Sequence, residues 1–335
     1  MSNVKSEVRT LQRVGSSLAI YLPKEWCEVN KLSKGSKVIL RYSDNFLCLE
    51  LEELSKSVRK ELTFDVTSLS EDVLKYLIIS LYIIGYDFIK LISRKKISLP
   101  LRRYLLSMLR YTSKYEVVEE GENYIVISGV GGTDNVVDAL RREFNAVSTV
   151  FKYAIEALEG GPKTLDEYYD AMDELDDEVD KTQIEVERAA YKLIERPFIN
   201  SELIHIIPAT IISIYLERLS DHLVLIVREL PRDFHNISKL ITYLREFNKN
   251  YIALYEVFNK IITKSYSTTE INDILEWLIR IIESKRIMRE ELTKTFQERG
   301  HELITYHVVR IYGLLTDIAE VLVDMLTETF IKSKP

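Results

Sequence analysis

The chain has 335 residues, 46% hydrophobic and 29% charged, which excludes a disordered or collagen-like polymer and suffices for one large core or two to three ordinary ones. Only 11 Gly and 7 Pro occur, about half or less of ordinary usage, so long uninterrupted helices are expected rather than a turn-rich β fold. The net charge of −7 hides an asymmetry: residues 1–50 carry eight Lys and Arg against five Asp and Glu, leaving 37 bases against 47 acids in the rest, so any polyanion contact belongs to the head.

The head reads as strands. Residues 8–14 and 17–22 are β-prone runs separated by Gly15-Ser16 and stopped by Pro23, a short helix follows from Lys24, and 37–42 with 46–51 form a hairpin closed by Ser43-Asp44-Asn45. Some fifty residues are a marginal core, which dimerisation would repair. Residues 60–132 read as a small α/β module: a strand at 61–66, a helix opened by the capping box Ser68-Leu-Ser-Glu71 and stopped at Gly85, a strand at 87–92, a helix at 99–111 and a hairpin of 115–119 with 124–127. From Thr133 onward six long helices are expected, at 134–159, 164–195, 201–230, 236–264, 268–298 and 301–333. Short breaks at Gly160-Gly-Pro162, Arg196-Pro197, Leu230-Pro231, 265–267 and Gly300 force neighbours to lie antiparallel, as two three-helix units. The fold class is therefore multidomain and mainly α, divided at 1–53, 60–132, 133–232 and 233–335.

Two cysteines, Cys27 and Cys48, form no metal-spacing motif and cannot staple a chain of this size, which points to a reducing cytoplasm. The most apolar stretch, 203–216, is interrupted by His205 and Pro208. It is shorter than the ~20 residues that span a bilayer, so the chain is not expected to be an integral membrane protein.

Candidate chemistry concentrates on two helices. Between Asp166 and Glu187 stand eleven acids and one base, Lys181. Like charges at i,i+4 repel, so a run of this kind calls for something positive nearby. The apolar stripe Tyr168, Met172, Leu175, Val179, Val186 marks the core face; Asp176 and Asp180 lie along its edge at i,i+4, and Asp173 and Asp177 repeat that spacing one step round. The next helix, apolar nearly all round, carries Glu217 and Asp221 at the same spacing. Two such pairs on adjacent helices offer an all-oxygen site for Mg, Mn, Ca or Fe, or for Zn with a histidine; the competing reading is a salt-bridge network using Arg188, Arg218 or Arg228.

Leu216-Glu-Arg-Leu-Ser-Asp-His222 resembles a signature segment of PhoU-like proteins, and Asp176-x-x-x-Asp180 resembles the matching motif on the preceding helix. Over about 134–333 the resemblance implies a pair of three-helix bundles and a metal cluster (Fe, Zn, Mn or Mg) at Asp176, Asp180, Glu217 and Asp221. The second half departs from the pattern: Gly313 stands where the glutamate falls, leaving Asp317, with Glu283 on the preceding helix, as a residual set that binds a metal weakly or not at all. The head, over about 6–52, resembles AbrB/MazE-type swapped-hairpin DNA-binding domains through Arg13-Val-Gly-Ser-Ser-Leu-Ala-Ile-Tyr-Leu-Pro-Lys24 and Leu32-Ser-Lys-Gly-Ser-Lys-Val38. That resemblance implies an intertwined homodimer gripping double-stranded DNA with Arg9, Gln12, Arg13, Ser16, Ser17 and Lys24. Arg and Gln can read base edges, whereas Lys and Ser mostly hold phosphates.

Together these imply a cytoplasmic, homodimeric, non-enzymatic transcriptional regulator of phosphate uptake. The alternative is an accessory protein that restrains a phosphate transporter or its sensor kinase by protein contact, with the head only dimerising. A carboxylate-bridged metalloenzyme is disfavoured, because neither acid-rich helix carries Glu-x-x-His.

Overall fold

The computed structural model describes residues 5–43, 46–51, 59–129, 135–194, 205–231, 234–296 and 301–333. Asp44-Asn45, read above as part of a turn, and Arg196-Pro197 and Gly300, read as breaks, lie outside them. The chain divides into two compact units, 1–58 and 59–335.

In the first unit, β1 (Gln12–Val14) and β2 (Ser17–Ala19) form an antiparallel ribbon, α1 (Lys24–Val29) follows Pro23, and β3 (Val38–Ser43) pairs with β4 (Phe46–Leu51). Gly15 takes φ +62° at the first turn, a conformation open to glycine at little cost. The ribbon strands are shorter than the sequence suggests: among the described residues, 8–11 and 20–22 have no strand to pair with. No side chain described in this unit is buried, and Val8, Val14, Leu18, Tyr21, Val29, Tyr42 and Leu47 are all exposed.

The second unit opens with a four-stranded sheet in the order β5 (Glu61–Asp65), β6 (Phe88–Ile92), β8 (Tyr124–Gly129), β7 (Tyr115–Glu120). β5 and β6 are parallel, joined across α2 (Glu71–Ile83), and the β7–β8 hairpin adds antiparallel. The cap of α2 is Ser70, whose hydroxyl accepts from the Val73 amide, rather than the expected Ser68; Gly85 at φ +83° ends the helix as read. α3 (Leu99–Met108) starts under the Ser98 hydroxyl and tightens into a 3₁₀ turn over Leu109–Tyr111. Ile89, Leu91, Ile125, Ile127 and Tyr115 meet Leu74, Ile78, Tyr82 and Leu105 of the two helices in one core, which Ile184 of the helical body joins.

The body comprises α4 (Val136–Gly160), α5 (Pro162–Ile194), α6 (Ile206–Glu229), α7 (Ile237–Thr263), α8 (Thr268–Phe296) and α9 (Glu302–Ser333). α4, α5 and α6 pack on one another; α9 packs on α7 and α8; and α4 with α7 and α6 with α9 join the two trios. One core runs through all six. At the α4–α7 contact the Phe144 ring stacks on Tyr255 at 4.6 Å and on Phe258 at 5.4 Å, while the Tyr251 hydroxyl donates to the Phe144 carbonyl at 2.6 Å. The six helices share this core, while the sheet module keeps a core of its own.

Arg188 of α5 fastens the sheet module to the body. Its buried guanidinium lies over the Tyr82 ring at 4.4 Å, donates to the Tyr82 carbonyl and approaches Asp87 at 3.4 Å, where Lys192 adds a second cation at 2.9 Å. Removing one member of such a buried pair leaves the other desolvated without its counter-charge. Arg188→Leu is expected to lower unfolding free energy by about 3 kcal/mol in urea titrations, and Arg142→Ala, which breaks the exposed pair with Glu185, by less than about 1 kcal/mol.

Candidate metal centre and nucleic-acid interface

The acidic run of α5 divides into two sets. The outward set is paired: Asp173 with Arg228 of α6, Asp177 with Arg110 at 3.4 Å and the Tyr111 hydroxyl at 3.0 Å, Glu185 with Arg142 at 2.5 Å, and Glu178 with Lys181 at 3.1 Å. These answer the demand for positive charge that the sequence raises, and they place Asp173 and Asp177 in the framework rather than the seam.

The inward set faces α6. The Ser220 hydroxyl donates to Asp176 at 2.8 Å and fixes the register of the two antiparallel helices, so Asp180, one turn on, lies level with Glu217, and Asp221 sits beside Ser220. Asp176, Asp180, Glu217 and Asp221 are half-buried, and among the described residues no cation comes within ion-pair distance of any of them. Burial and mutual repulsion raise all four. Asp180 is pushed up to about 6 by burial and then by Asp176 and Asp177; Glu217 rises to about 7 by burial, Asp221 and Asp180; Asp221 rises to about 6 by burial, Asp176 and Asp180. Asp176 also rises, burial outweighing the Ser220 hydrogen bond.

Two further carboxylates extend this seam. Glu187, half-buried and raised by burial, lies two turns beyond Asp180 on α5, and Glu143 of α4 is wholly buried, with the Ser213 hydroxyl donating to Oε2 at 2.5 Å. Burial holds the Glu143 carboxyl well above its usual range, and Glu217, Glu187 and Asp180 push it further. Sequence reasoning missed both; the available signal was an acid at 143 between Leu140, Phe144 and Val147, on the buried face of an amphipathic helix.

The donor set suits a hard cation: oxygen ligands, excess negative charge and an orphaned buried oxygen, Glu143 Oε1. Among the described residues, however, no three His, Cys, Asp or Glu side chains stand together as a group able to hold a metal ion.

On the other flank of α6, His222 faces α9. Its Nδ1 lies 2.9 Å from Nδ1 of His307, whose Nε2 is 3.2 Å from a Glu229 carboxylate oxygen. Burial, then His307 and Arg310, push His222 down to about 4. The second-half candidates do not come together: Lys285 occupies Asp317, and Glu283 is exposed.

In the head, Arg9, Gln12, Arg13, Ser16, Ser17 and Lys24 are all exposed. Arg9 pairs with Glu7, and Lys24 lies 3.6 Å from Glu28. Arg13 stands opposite Leu18 and Gln12 opposite Ala19, so Arg13 and Gln12 point to opposite faces of the ribbon.

Residues 140–230, the span of α4–α6 that holds the seam, match the family model of the PhoU domain. The chain carries a PhoU domain. Residues 11–55 match the bacterial antitoxin family described as antidote-toxin recognition MazE, so a MazE/AbrB-type head precedes the PhoU domain on one chain. No curated protein and no solved structure matches the chain. The four seam acids and Glu143 all fall inside the PhoU match, whereas α7–α9 lie beyond it.

Unfolded carboxylates ionise near 4, and Asp180, Glu217 and Asp221 of the seam nearer 6–7, so between these values the folded state holds the extra protons and stability falls as pH rises. In chelator-treated protein the melting temperature is expected to drop from about pH 5 to about pH 7.5, and the double variant Asp180→Asn, Glu217→Gln to flatten that drop. A wild-type curve that is level or rising over this window contradicts the assignment.

Proposed function

We propose that the chain is a cytoplasmic, non-enzymatic regulator of phosphate homeostasis that binds double-stranded DNA as a homodimer through its head and senses a metal ion or phosphate status through its body. The observation that carries this reading is the presence, on one polypeptide, of a MazE/AbrB-type head and a PhoU domain. The dimer is supported by the lack of a buried side chain among the described residues of the head: a second copy supplying strands beside residues 8–11 and 20–22 would cover the apolar surface that one chain leaves in water.

Arg13 is the strongest base-edge candidate, being exposed on a short ribbon beside a tight turn; Ser16, Ser17 and Lys24 would hold phosphates. Arg9 must leave Glu7 to take part, and Gln12 would serve the opposite face of the ribbon or the second protomer. Asp176, Asp180, Glu217 and Asp221 would hold the cation, bordered by Asp173 and Asp177, whose framework pairs keep them turned to Arg228 and Arg110. A bound cation changes what the seam's electrostatics favour, and any difference in cation affinity between two arrangements of the dimer would be expressed as a difference in DNA grip.

No helix among the described residues is long and apolar enough to cross a membrane, so contact with a phosphate transporter or a sensor kinase, in the alternative reading, would be made from outside the bilayer. Charge reversal separates the two readings. Arg9→Glu with Arg13→Glu is expected to weaken duplex binding by about 100-fold at 0.1 M salt, and wild-type affinity to fall steeply with added salt as counterions are released. Fluorescence anisotropy on the full chain measures both; unchanged affinity in the variant removes DNA binding by this face and leaves the accessory-protein reading.

A further inference from the structure

The sheet module leaves apolar side chains in water on the side turned away from its strands. α2 and α3 both rest on one face of the sheet, through Leu74, Ile78, Tyr82 and Leu105, so their opposite sides look outward. After Glu71 and Asp72, only Lys75 and Ser80 interrupt the apolar and aromatic residues of α2, a pattern that belongs to a helix covered on all sides. Its outward residues Val73 and Tyr76 are instead half or more exposed, as are Leu99 and Leu106 of α3. On α3, Leu99, Arg103 and Leu106 fall within about 60° of one another and form a single outward stripe. Tyr104 of α3 lies within electrostatic reach of Asp72, Glu71 and Tyr76 of α2 and joins the two helices into one surface.

The two helices of this surface carry opposite charge. α3 and the 3₁₀ turn after it contain three arginines and no acid: Arg102 donates to Glu120 and Arg110 pairs with Asp177, while Arg103 is exposed and has no ion-pair partner among the described residues. α2 opens with Glu71 and Asp72, likewise exposed and without an ion pair there. Acid and base thus lie side by side on one apolar face, so a copy turned about a two-fold axis lays its acidic helix on the basic helix of the first and receives the converse. A surface complementary to itself is what a two-fold interface requires. We propose that the outward face of α2 and α3 docks on the same face of a second copy of the chain. Asp72 then stands opposite the partner's Arg103, and Tyr76 packs among the partner's Leu99 and Leu106, an aromatic anchor inside a charged rim. This interface is separate from the head, and the second unit can pair through it whether or not the heads are intertwined.

The test is photo-crosslinking of the full chain carrying Tyr76→p-benzoylphenylalanine, in an equal mixture of unlabelled and isotopically labelled protein, so that mass spectrometry separates links between copies from links within one. The expected result is a link between copies that ends in residues 99–110. Arg103→Glu is expected to reduce it about tenfold by setting like charges opposite each other, and adding Asp72→Arg to restore it, because the reversed pair attracts again. Asp72→Arg alone is expected to lose the link as Arg103→Glu does. All these side chains are exposed, so the melting temperatures of the variants are expected to stay close to that of wild type, and recovery in the double variant separates lost docking from lost folding. Links confined to one chain, or none at all, overturn the proposal. So do links that end in residues 5–51, which would make the head the occupant of this face, and links between copies that persist in both single variants.

Discussion

Like charges brought together inside a helix interface are the constraint around which the body is arranged. Two carboxylates ~6 Å apart repel by roughly 3 kcal/mol at the effective dielectric of a partly buried site, and the seam holds Asp176, Asp180, Glu217 and Asp221 along one helix pair with Glu143 behind them. The protein meets part of this load with protein cations and leaves the rest. Asp173, Asp177 and Glu185 are drawn outward to Arg228, Arg110 and Arg142, where they tie α5 to α6, to the 3₁₀ turn after α3 and to α4. Of the inward acids, Asp176 and Glu143 accept from the Ser220 and Ser213 hydroxyls, and Arg228, Lys75 and Arg218 act on the four seam acids from beyond ion-pair distance, too weakly to offset burial. One acidic run thus serves two purposes, and the side of the helix decides which.

The helices that carry the seam are also those that join the unit together. α5 reaches the sheet module through Arg188 and Lys192, and α6 reaches α9 through His222, the residue next to Asp221. The α5–α6 pair is thus in contact with the Tyr82–Asp87 turn on one side and with α9, through the His222–His307 bridge, on the other. Both contacts are short and specific, and the surrounding core is close-packed, so small displacements at the seam are not absorbed locally.

Much of this was legible in the sequence because the signals are local. The scarcity of glycine and proline, the 3.6-residue apolar rhythm and the breaks after Gly160 and Leu230 place the six long helices within a few residues, and Gly85 marks the end of α2 for the conformational reason that glycine serves there. The pairs Asp176/Asp180 and Glu217/Asp221 follow from i,i+4 spacing alone. What the sequence concealed depends on which residues meet across helices. Glu143 and Glu187 have no i,i+4 acidic partner facing the seam, His222 and His307 are 85 positions apart, and Arg188 resembles any surface arginine until the Tyr82 ring is known to lie beneath it. The cap of α2 shows the same limit on a smaller scale: Ser68 and Ser70 both precede the helix, and only the backbone geometry selects Ser70.

The claim on which the account rests is that, among the described residues, the four seam carboxylates are held together without a protein cation in ion-pair contact. Carboxyl-carbon NMR titration of Asp176, Asp180, Glu217 and Asp221 in the chelator-treated chain reads this directly. The account predicts that Asp180 and Asp221 titrate near 6 and Glu217 near 7, and that Mg²⁺ moves all four toward ordinary carboxylate values. Midpoints near 4 for all four without the cation would contradict it.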